Sequence, residues 1–276
     1  MAKKGAQRRL SPSGEPVLRV LRLFGLGALA IASLAIAAEP QRPQPLRGGS
    51  EFQSRDVQAL ERDDFANPAS LWLARGEALW NEARGSAAKS CAACHGDAAT
   101  SMRGVASRYP KHDAALGRVV NLEERINACA ADHQGAPRFA WESPELLSLT
   151  AFVARQSRGV PIQVSIDGPA HASWDAGRRT YFTRIGQLNL ACTHCHDASW
   201  GKTLLAESVS QGHPNGWPAY RLEWQSLGSL ERRLRACFFG VRAEMPAYGD
   251  RDMIALELYL AWRAQGLAST VPGVRR

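Results

Sequence analysis

The chain has 276 residues, of which 45% are hydrophobic and 22% are charged, which is enough for one large domain or two small ones. Its formal net charge is +8, but residues 1–38 contain six of the basic residues and only one acidic residue. The remaining chain has 28 basic and 25 acidic residues, so its composition excludes a strongly basic nucleic-acid-binding domain.

Residues 1–38 have the order of a secretory signal peptide. Basic residues come first, an apolar run follows from Leu23 to Ala37, and small residues end the segment at Ala38. The run is short and rich in alanine and glycine for a membrane span, although an uncleaved N-terminal anchor is the alternative. We therefore predict export to the periplasm, with no stable membrane span after cleavage.

Residues 39–70 are rich in proline, glutamine, arginine and aspartate and show little apolar periodicity. This composition predicts an extended N-terminal arm on the protein surface. A short helix is possible within it, around Asp56–Arg62.

Two Cys-x-x-Cys-His motifs follow, and this motif is typical of covalent c-type haem attachment. The two thiols of each motif bind the haem vinyl groups, and the adjacent histidine supplies one axial ligand to the iron. We predict that Cys91 and Cys94 attach the first haem, with His95 on its iron, and that Cys192 and Cys195 attach the second, with His196 on its iron. A zinc site or a redox-active cysteine pair is the alternative for such a motif, but two copies in an exported chain favour two covalently bound haems c.

Each motif lies in one copy of an internal repeat. Gly76 and Gly177 each precede the first motif cysteine by 15 residues, within segments of helical apolar spacing. Each copy then has a charged helix with a lone cysteine and an amphipathic closing helix. We predict a mainly α fold with two tandem cytochrome c-like modules, residues 71–165 and 166–276. The loop of residues 208–218 lengthens the second module, and long loops of this composition often shape functional sites.

Spacing alone leaves several candidates for the second axial ligand of each iron. Methionine is common at this position, and Met245 before a proline is a serious rival at the second haem, whereas Met102 follows His95 too closely to reach the opposite face. His112 and His133 are further candidates in the first module, but neither has a counterpart in the second. The lone cysteines Cys129 and Cys237 do correspond, and we favour them as ligands over the simplest alternative, a disulfide between them.

Arg233 lies four residues before Cys237, one helical turn earlier on the same face. A guanidinium there would bind an oxyanion and favour the thiolate form of the cysteine. An ordinary solvated basic helix face is the alternative. Arg125 holds the equivalent position in the first module, which weakens an argument from spacing alone.

Several stretches of the chain resemble the SoxA family, the dihaem subunits of the SoxAX cytochromes of bacterial sulfur oxidation. Besides the two haem motifs, they are residues 65–68 (Phe-Ala-Asn-Pro), residues 210–216 (Ser-Gln-Gly-His-Pro-Asn-Gly), and the segment from Cys237 through Val241-Arg242-Ala243-Glu244 to Tyr248-Gly249. The similarity covers nearly the whole chain after the signal peptide. Met245 departs from the family pattern, and it keeps the methionine alternative open.

This resemblance implies a periplasmic L-cysteine S-thiosulfotransferase that works with a monohaem cytochrome partner, SoxX. The enzyme would join thiosulfate oxidatively to a cysteine of the SoxY carrier in the SoxYZ complex, and two electrons would leave through haem to a downstream cytochrome. The family further implies that the second haem is the active-site haem and that Cys237 can carry an extra sulfur as a persulfide. It implies that Arg233 binds substrate and that Cys129 is the distal ligand of the first haem.

Two other functions compete with this interpretation. The main rival is a dihaem electron-transfer cytochrome without a bond-making role, and Met245 on the second iron would favour it. A dihaem peroxidase needs an open iron position and an acid–base group, for which His213 in the long loop is the candidate.

Overall fold

The computed structural model describes residues 42–276. Most of its regular structure is helical, as predicted. The helices, in chain order, are α1 (Arg55–Arg62), α2 (Ser70–Asn81), α3 (Cys91–His95), α4 (Ala98–Ser101), α5 (Leu122–Gln134), α6 (Pro144–Arg155), α7 (His171–Phe182), α8 (Cys192–His196), α9 (Leu230–Gly240) and α10 (Arg251–Arg263). None of these described helices is long and apolar enough to cross a membrane. The predicted signal peptide lies outside the described residues.

The strands are short and form three small sheets. They are β1 (Lys111–Asp113), β2 (Arg118–Val120), β3 (Thr203–Leu204), β4 (Glu207–Ser208), β5 (Ala219–Arg221), β6 (Ser226–Gly228) and β7 (Gly273–Arg275). The pairs β1–β2, β3–β4 and β5–β6 are antiparallel hairpins, and β7 adds to β5 in parallel. The β3–β4 hairpin lies in the part of the second half that is longer than the first.

Two helix pairs form the framework, and a glycine sets the close approach of each. In the first half α2 packs on α6, where a Cβ added to Gly76 would lie 2.2 Å from the carbonyl oxygen of Ser148. In the second half α7 packs on α10, where a Cβ added to Gly177 would lie 1.9 Å from the carbonyl oxygen of Ala255. No side chain fits at either position, because the neighbouring atoms are backbone.

Apolar side chains fill the space around each pair. Trp80, Leu149 and Val153 belong to the cluster beside the first pair. The larger cluster beside the second pair is rich in aromatic residues, and Tyr181 and Tyr259 are both fully buried in it. Each cluster also includes the first cysteine of its haem motif, so the core of each half directly supports its motif.

A hairpin leads into each helix that carries a lone cysteine. The β1–β2 hairpin precedes α5, and the side chain of Asn121 caps that helix by accepting from the backbone N–H of Glu124 at 3.0 Å. The β5–β6 hairpin precedes α9, which Ser229 caps by accepting from the backbone N–H of Arg232, also at 3.0 Å. These caps fix where each helix starts and therefore which residues share the face of the cysteine.

The segment before α2 packs on the C-terminal strand. Within it, α1 confirms the predicted short helix, since it spans Arg55–Arg62. Glu61 on α1 is buried, accepts from the backbone N–H of Val274 at 2.9 Å, and forms an ion pair with the buried Arg275. A buried carboxylate with both of these partners ties this segment to the second half of the chain.

Candidate haem sites

Each haem motif forms a single helical turn, α3 or α8, and the preceding loop is hydrogen-bonded to the end of the cysteine helix. In the first half, the backbone N–H of Ala87 donates to the carbonyl of Gln134 at the end of α5 (3.0 Å). In the second half, the backbone N–H of Leu188 donates to the carbonyl of Val241 just after α9 (3.3 Å). This shared contact holds each lone cysteine beside the motif of its own half.

At the second site, His196 and Cys237 face each other. The Nδ1 atom of His196 donates to the carbonyl oxygen of Ser210 at 2.8 Å, which leaves Nε2 unprotonated and available to a metal. Cys237 is close enough to the same imidazole for His196 to lower the pKa of its thiol. Of the predicted ligands, the structure therefore brings together His196 and Cys237, which would hold the iron of the second haem.

The electrostatic environment favours a thiolate at Cys237. Burial alone would raise the pKa of this thiol, but the Arg233 guanidinium, and after it the neighbouring His196, lower it to about 7. Arg221 on β5 acts in the same direction. A thiol with this pKa is substantially ionised at neutral pH, which makes it a nucleophile and a metal ligand.

Three arginines of α9 have different surroundings: Arg232 and Arg235 share one face of the helix, and Arg233 lies on the face of Cys237. Arg232 stacks on Trp224, with its guanidinium carbon 4.2 Å from the ring centroid, and Arg235 stacks on Tyr248 at 4.3 Å. Arg233 forms no ion pair within residues 42–276 and is only partly buried beside Cys237. Its forked donors are therefore available to an anion.

At the first site, Cys129 has a different environment. Burial raises the pKa of its thiol, and the carboxylates of Asp132 and Asp113 add to the increase although Arg125 opposes it. Arg125, the equivalent of Arg233, is paired with Asp113 (Nη1 to Oδ2, 3.1 Å). The imidazole of His95 lies against Trp80, with ring centroids 5.7 Å apart.

The donor set and its surroundings fit a c-type haem. All six cysteines are free thiols, so Cys129 and Cys237 are not joined by a disulfide. Met102 is buried in the apolar cluster beside α2, and Met245 lies in the loop after α9 with 45% of its surface exposed. Phe239 lies two residues after Cys237, and the backbone N–H of Leu188 donates to Val241 just after the same helix. Their side chains are 73% and 48% exposed, as expected of apolar side chains that a macrocycle would cover.

The long loop supports the histidine side of the second site. Besides the Ser210 carbonyl, Gly212 packs so close that an added Cβ would lie 3.1 Å from Cγ of His196. His213 is buried, and its Nε2 atom lies 3.0 Å from the Gln211 side chain. Burial lowers the pKa of His213 to about 3, with Arg263 and His196 contributing. It is therefore neutral at physiological pH and contacts the loop itself, a poor setting for the acid–base group of a peroxidase.

A buried polar group next to His196 was not predicted from the sequence. The carboxylate of Asp197 accepts from the Tyr181 hydroxyl at 2.9 Å and from Arg263 at 2.5 Å, and Arg263 is fully buried. In the first half, the indole N–H of Trp80 donates to the carbonyl of Gly96, the position equivalent to Asp197, at 3.1 Å. In both halves an aromatic side chain 15 residues before the histidine donates to the residue that follows the histidine. Comparison of the two copies of the repeat could have supplied this signal.

Comparison with known proteins gave three kinds of match. Residues 75–162 match the family model described as SoxA/TsdA, cytochrome c domain. Proteins named L-cysteine S-thiosulfotransferase subunit SoxA are similar over most of the chain: that of Pseudaminobacter salicylatoxidans is 42% identical over 82% of this chain and 79% of its own. The Rhodovulum sulfidophilum protein of the same name is 40% identical over 83% and 80%. The crystal structure of SoxXA from P. pantotrophus includes a chain with a TM-score of 0.81 and 36% identity, covering 84% of this chain and 87% of that one.

Proposed function

This chain belongs to the SoxA family of L-cysteine S-thiosulfotransferase subunits, and we propose that it joins thiosulfate to a cysteine of a SoxY-like carrier protein. In this reaction the outer sulfur of thiosulfate forms an S–S bond with the carrier sulfur, and the carrier S–H bond breaks. One proton is released, and two electrons leave to an acceptor cytochrome. The product is a carrier cysteine S-thiosulfonate.

One observation carries this proposal: the unpaired Arg233 guanidinium lies beside a cysteine whose pKa is lowered to about 7. Arg233 would hold the sulfonate oxygens of thiosulfate through charge-assisted hydrogen bonds and place its outer sulfur toward Cys237. Cys237, as a thiolate, would form an S–S bond with the sulfur of one substrate as the two electrons leave to the acceptor cytochrome. The thiolate of the other substrate would then attack that substrate sulfur, and Cys237 would leave as a thiolate. If Cys237 carries an extra sulfur, that outer sulfur would take the same role. A plain electron carrier has no need for a free anion-binding group at this position.

The family is a cytochrome c family, so the chain carries covalent haem c, and we infer that it carries two. The first would be attached through Cys91 and Cys94 with His95 and Cys129 as axial ligands. The second would be attached through Cys192 and Cys195 with His196 and Cys237 as axial ligands. When bound, haem supplies a group that accepts electrons one at a time.

We further infer that residues 71–165 and 166–276 are two copies of one module. The support is the repeated order of opening helix, haem motif, hairpin, cysteine helix and closing helix, together with the buried glycine in each opening helix. The paired Arg125 and the raised pKa of Cys129 favour an electron-relay or structural role for the first haem.

The partners and the compartment follow from the same family assignment. A crystal structure titled SoxXA supports a SoxX-like monohaem cytochrome as the partner of this chain. Haem attachment and the predicted signal peptide support a periplasmic location. A SoxYZ-like complex would present the carrier cysteine, and a downstream cytochrome would accept the electrons.

The direct test is the Cys237→Met variant, purified with both haems and its SoxX partner. We expect thiosulfate-dependent cytochrome reduction to fall by at least about 100-fold with haem content unchanged, since the reactive sulfur is removed while a ligand is retained. Met245→Leu is the control and should keep full activity. Full activity in Cys237→Met would show that the chain is only an electron carrier, and a spectral loss of sulfur ligation in Met245→Leu would assign Met245 to the iron.

A further inference from the structure

The hairpin and cysteine helix of the two halves correspond residue by residue. Asp113 is the strand partner of Arg118 in the first hairpin, and Arg221 is the strand partner of Ser226 in the second. Each residue of the second pair lies 108 positions after its counterpart in the first pair. The same separation relates Arg125 to Arg233 on the following helices. Asp113 and Arg221 are therefore equivalent positions, and they carry opposite charges.

In the first half, the carboxylate of Asp113 holds the arginine of the cysteine helix. Its Oδ2 atom accepts from Nη1 of Arg125 at 3.1 Å, and its Oδ1 atom accepts from the backbone N–H groups of Ala115 and Leu116 in the hairpin turn. These turn contacts fix the orientation of the carboxylate, and 9% of the Asp113 side chain is exposed. The ion pair is therefore pre-organised, and an external anion would have to displace a carboxylate already in place.

Among residues 42–276, no other acidic group pairs with Arg125. The carboxylate of Glu124, adjacent to Arg125 in the chain, is paired with Arg118. Asp132 influences Cys129 from the next turn of α5 but forms no ion pair with Arg125 within the described part of the chain. Removal of the Asp113 charge would therefore leave Arg125, whose side chain is 34% exposed, open to an anion.

In the second half, the equivalent residue cannot neutralise its neighbour. Arg221 is itself a cation, and its Nη2 atom donates to Glu207 at 2.7 Å and to Glu223 at 2.6 Å. Arg233 is left without a carboxylate partner in the region from Arg42 to the C terminus. Arg221 thus occupies the place of a blocking carboxylate, and Glu207 and Glu223 are paired with Arg221 and not with Arg233.

We propose that the residue at this hairpin position determines which haem site accepts the thiosulfate anion: Asp113 closes the first site, and Arg221 leaves the second open. This inference rests on the proposed function, since it explains why two sites with the same arginine and cysteine spacing would differ in reactivity. It assigns a specificity role to Asp113 and Arg221, each of which lies 16 residues before the lone cysteine of its own half.

The decisive variant is Asp113→Asn, which keeps the Oδ1 acceptor of the hairpin turn and removes only the charge facing Arg125. The assay is thiosulfate titration of the dihaem protein in complex with its partner, followed by the separate electron paramagnetic resonance signals of the two haems. In the unmodified protein only the second haem signal should respond. In Asp113→Asn the first haem signal should also respond, whereas Asp175→Asn, which breaks an exposed pair with Arg179, should resemble the unmodified protein.

The outcomes separate this inference from the proposed function. A first haem that stays unresponsive in Asp113→Asn, at about 100 times the thiosulfate concentration that half-saturates the second, overturns the specificity role of Asp113. An unmodified protein in which neither haem responds overturns thiosulfate binding at Cys237 and this inference with it.

The reverse exchange tests the second half. Arg221→Asp should raise the KM for thiosulfate about tenfold or more while kcat changes less, because the new carboxylate would pair with Arg233. Arg221→Lys keeps the positive charge and should stay within about threefold of the unmodified enzyme. Equal KM values in the two folded variants would refute the role of Arg221. If Arg221→Asp does not fold, the Asp113→Asn titration decides the question.

Discussion

Gly177 is the position at which a single methyl group should do most damage to the second half. A Cβ there would lie 1.9 Å from the carbonyl oxygen of Ala255, and contacts under 3.0 Å do not occur, so α10 would have to retreat by about 1.1 Å. The obstructing atoms are backbone and cannot rotate aside. We expect Gly177→Ala to lower the free energy of unfolding by about 3 kcal/mol, the upper part of the usual range for overpacking.

The measurement is urea unfolding of the haem-loaded protein, followed by tryptophan fluorescence. A loss of about 3 kcal/mol corresponds to a fall in Tm of about 10 °C for a domain of this size. The helix α7 also carries Tyr181, which donates to Asp197 beside His196, so the signal of the second haem should change while that of the first does not. Gly240→Ala is the matched control, because a Cβ there meets nothing within 4 Å. Equal stability of the two variants would refute the close-packing argument.

Two further predictions concern buried charges. Burial raises the pKa of Glu257 well above its ordinary value, and the nearby Glu231 adds to this effect, so folding takes up a proton and stability falls as the pH rises through that raised pKa. Glu257→Gln abolishes this proton uptake, so between about pH 6 and pH 8.5 the Tm of the variant should fall less than that of the unmodified protein. Parallel plots of Tm against pH for the two proteins would contradict this prediction. Asp197→Asn removes the carboxylate from buried Arg263 and should cost about 3 kcal/mol in urea unfolding, whereas Asp175→Asn at an exposed pair should cost under about 1 kcal/mol.

The sequence was informative where the chemistry depends on short spacings. The haem motifs and the opening helices followed from local pattern, and the short helix in the N-terminal segment followed from the residues themselves. The structure brings Cys237 to His196, 41 residues away, as expected if both bind one iron.

Interactions between distant or very short elements could not be predicted in this way. Strands of three residues, such as β1 and β5, have no readable alternation, so their hairpins and the charge reversal between Asp113 and Arg221 remained hidden. The Glu61–Arg275 pair joins residues 214 positions apart, and no local pattern reports such a contact. A register comparison extended beyond the cysteines would have found the charge reversal, because the separation of 108 positions is constant from the hairpin to the cysteine.

In the second half, the long loop of residues 208–218 lies on the histidine side of the site and not on the cysteine side. Its additional residues gather around His196, where Ser210 fixes the ring tautomer and Gly212 limits the ring position. The opposite side is formed by α9, where Arg233 is only partly buried and forms no ion pair within residues 42–276. A carrier cysteine on another protein can approach only a surface that the chain leaves uncovered. An insertion on the histidine side, rather than the cysteine side, would therefore support the proposed binding of iron by His196 and leave the cysteine side open to the proposed carrier protein.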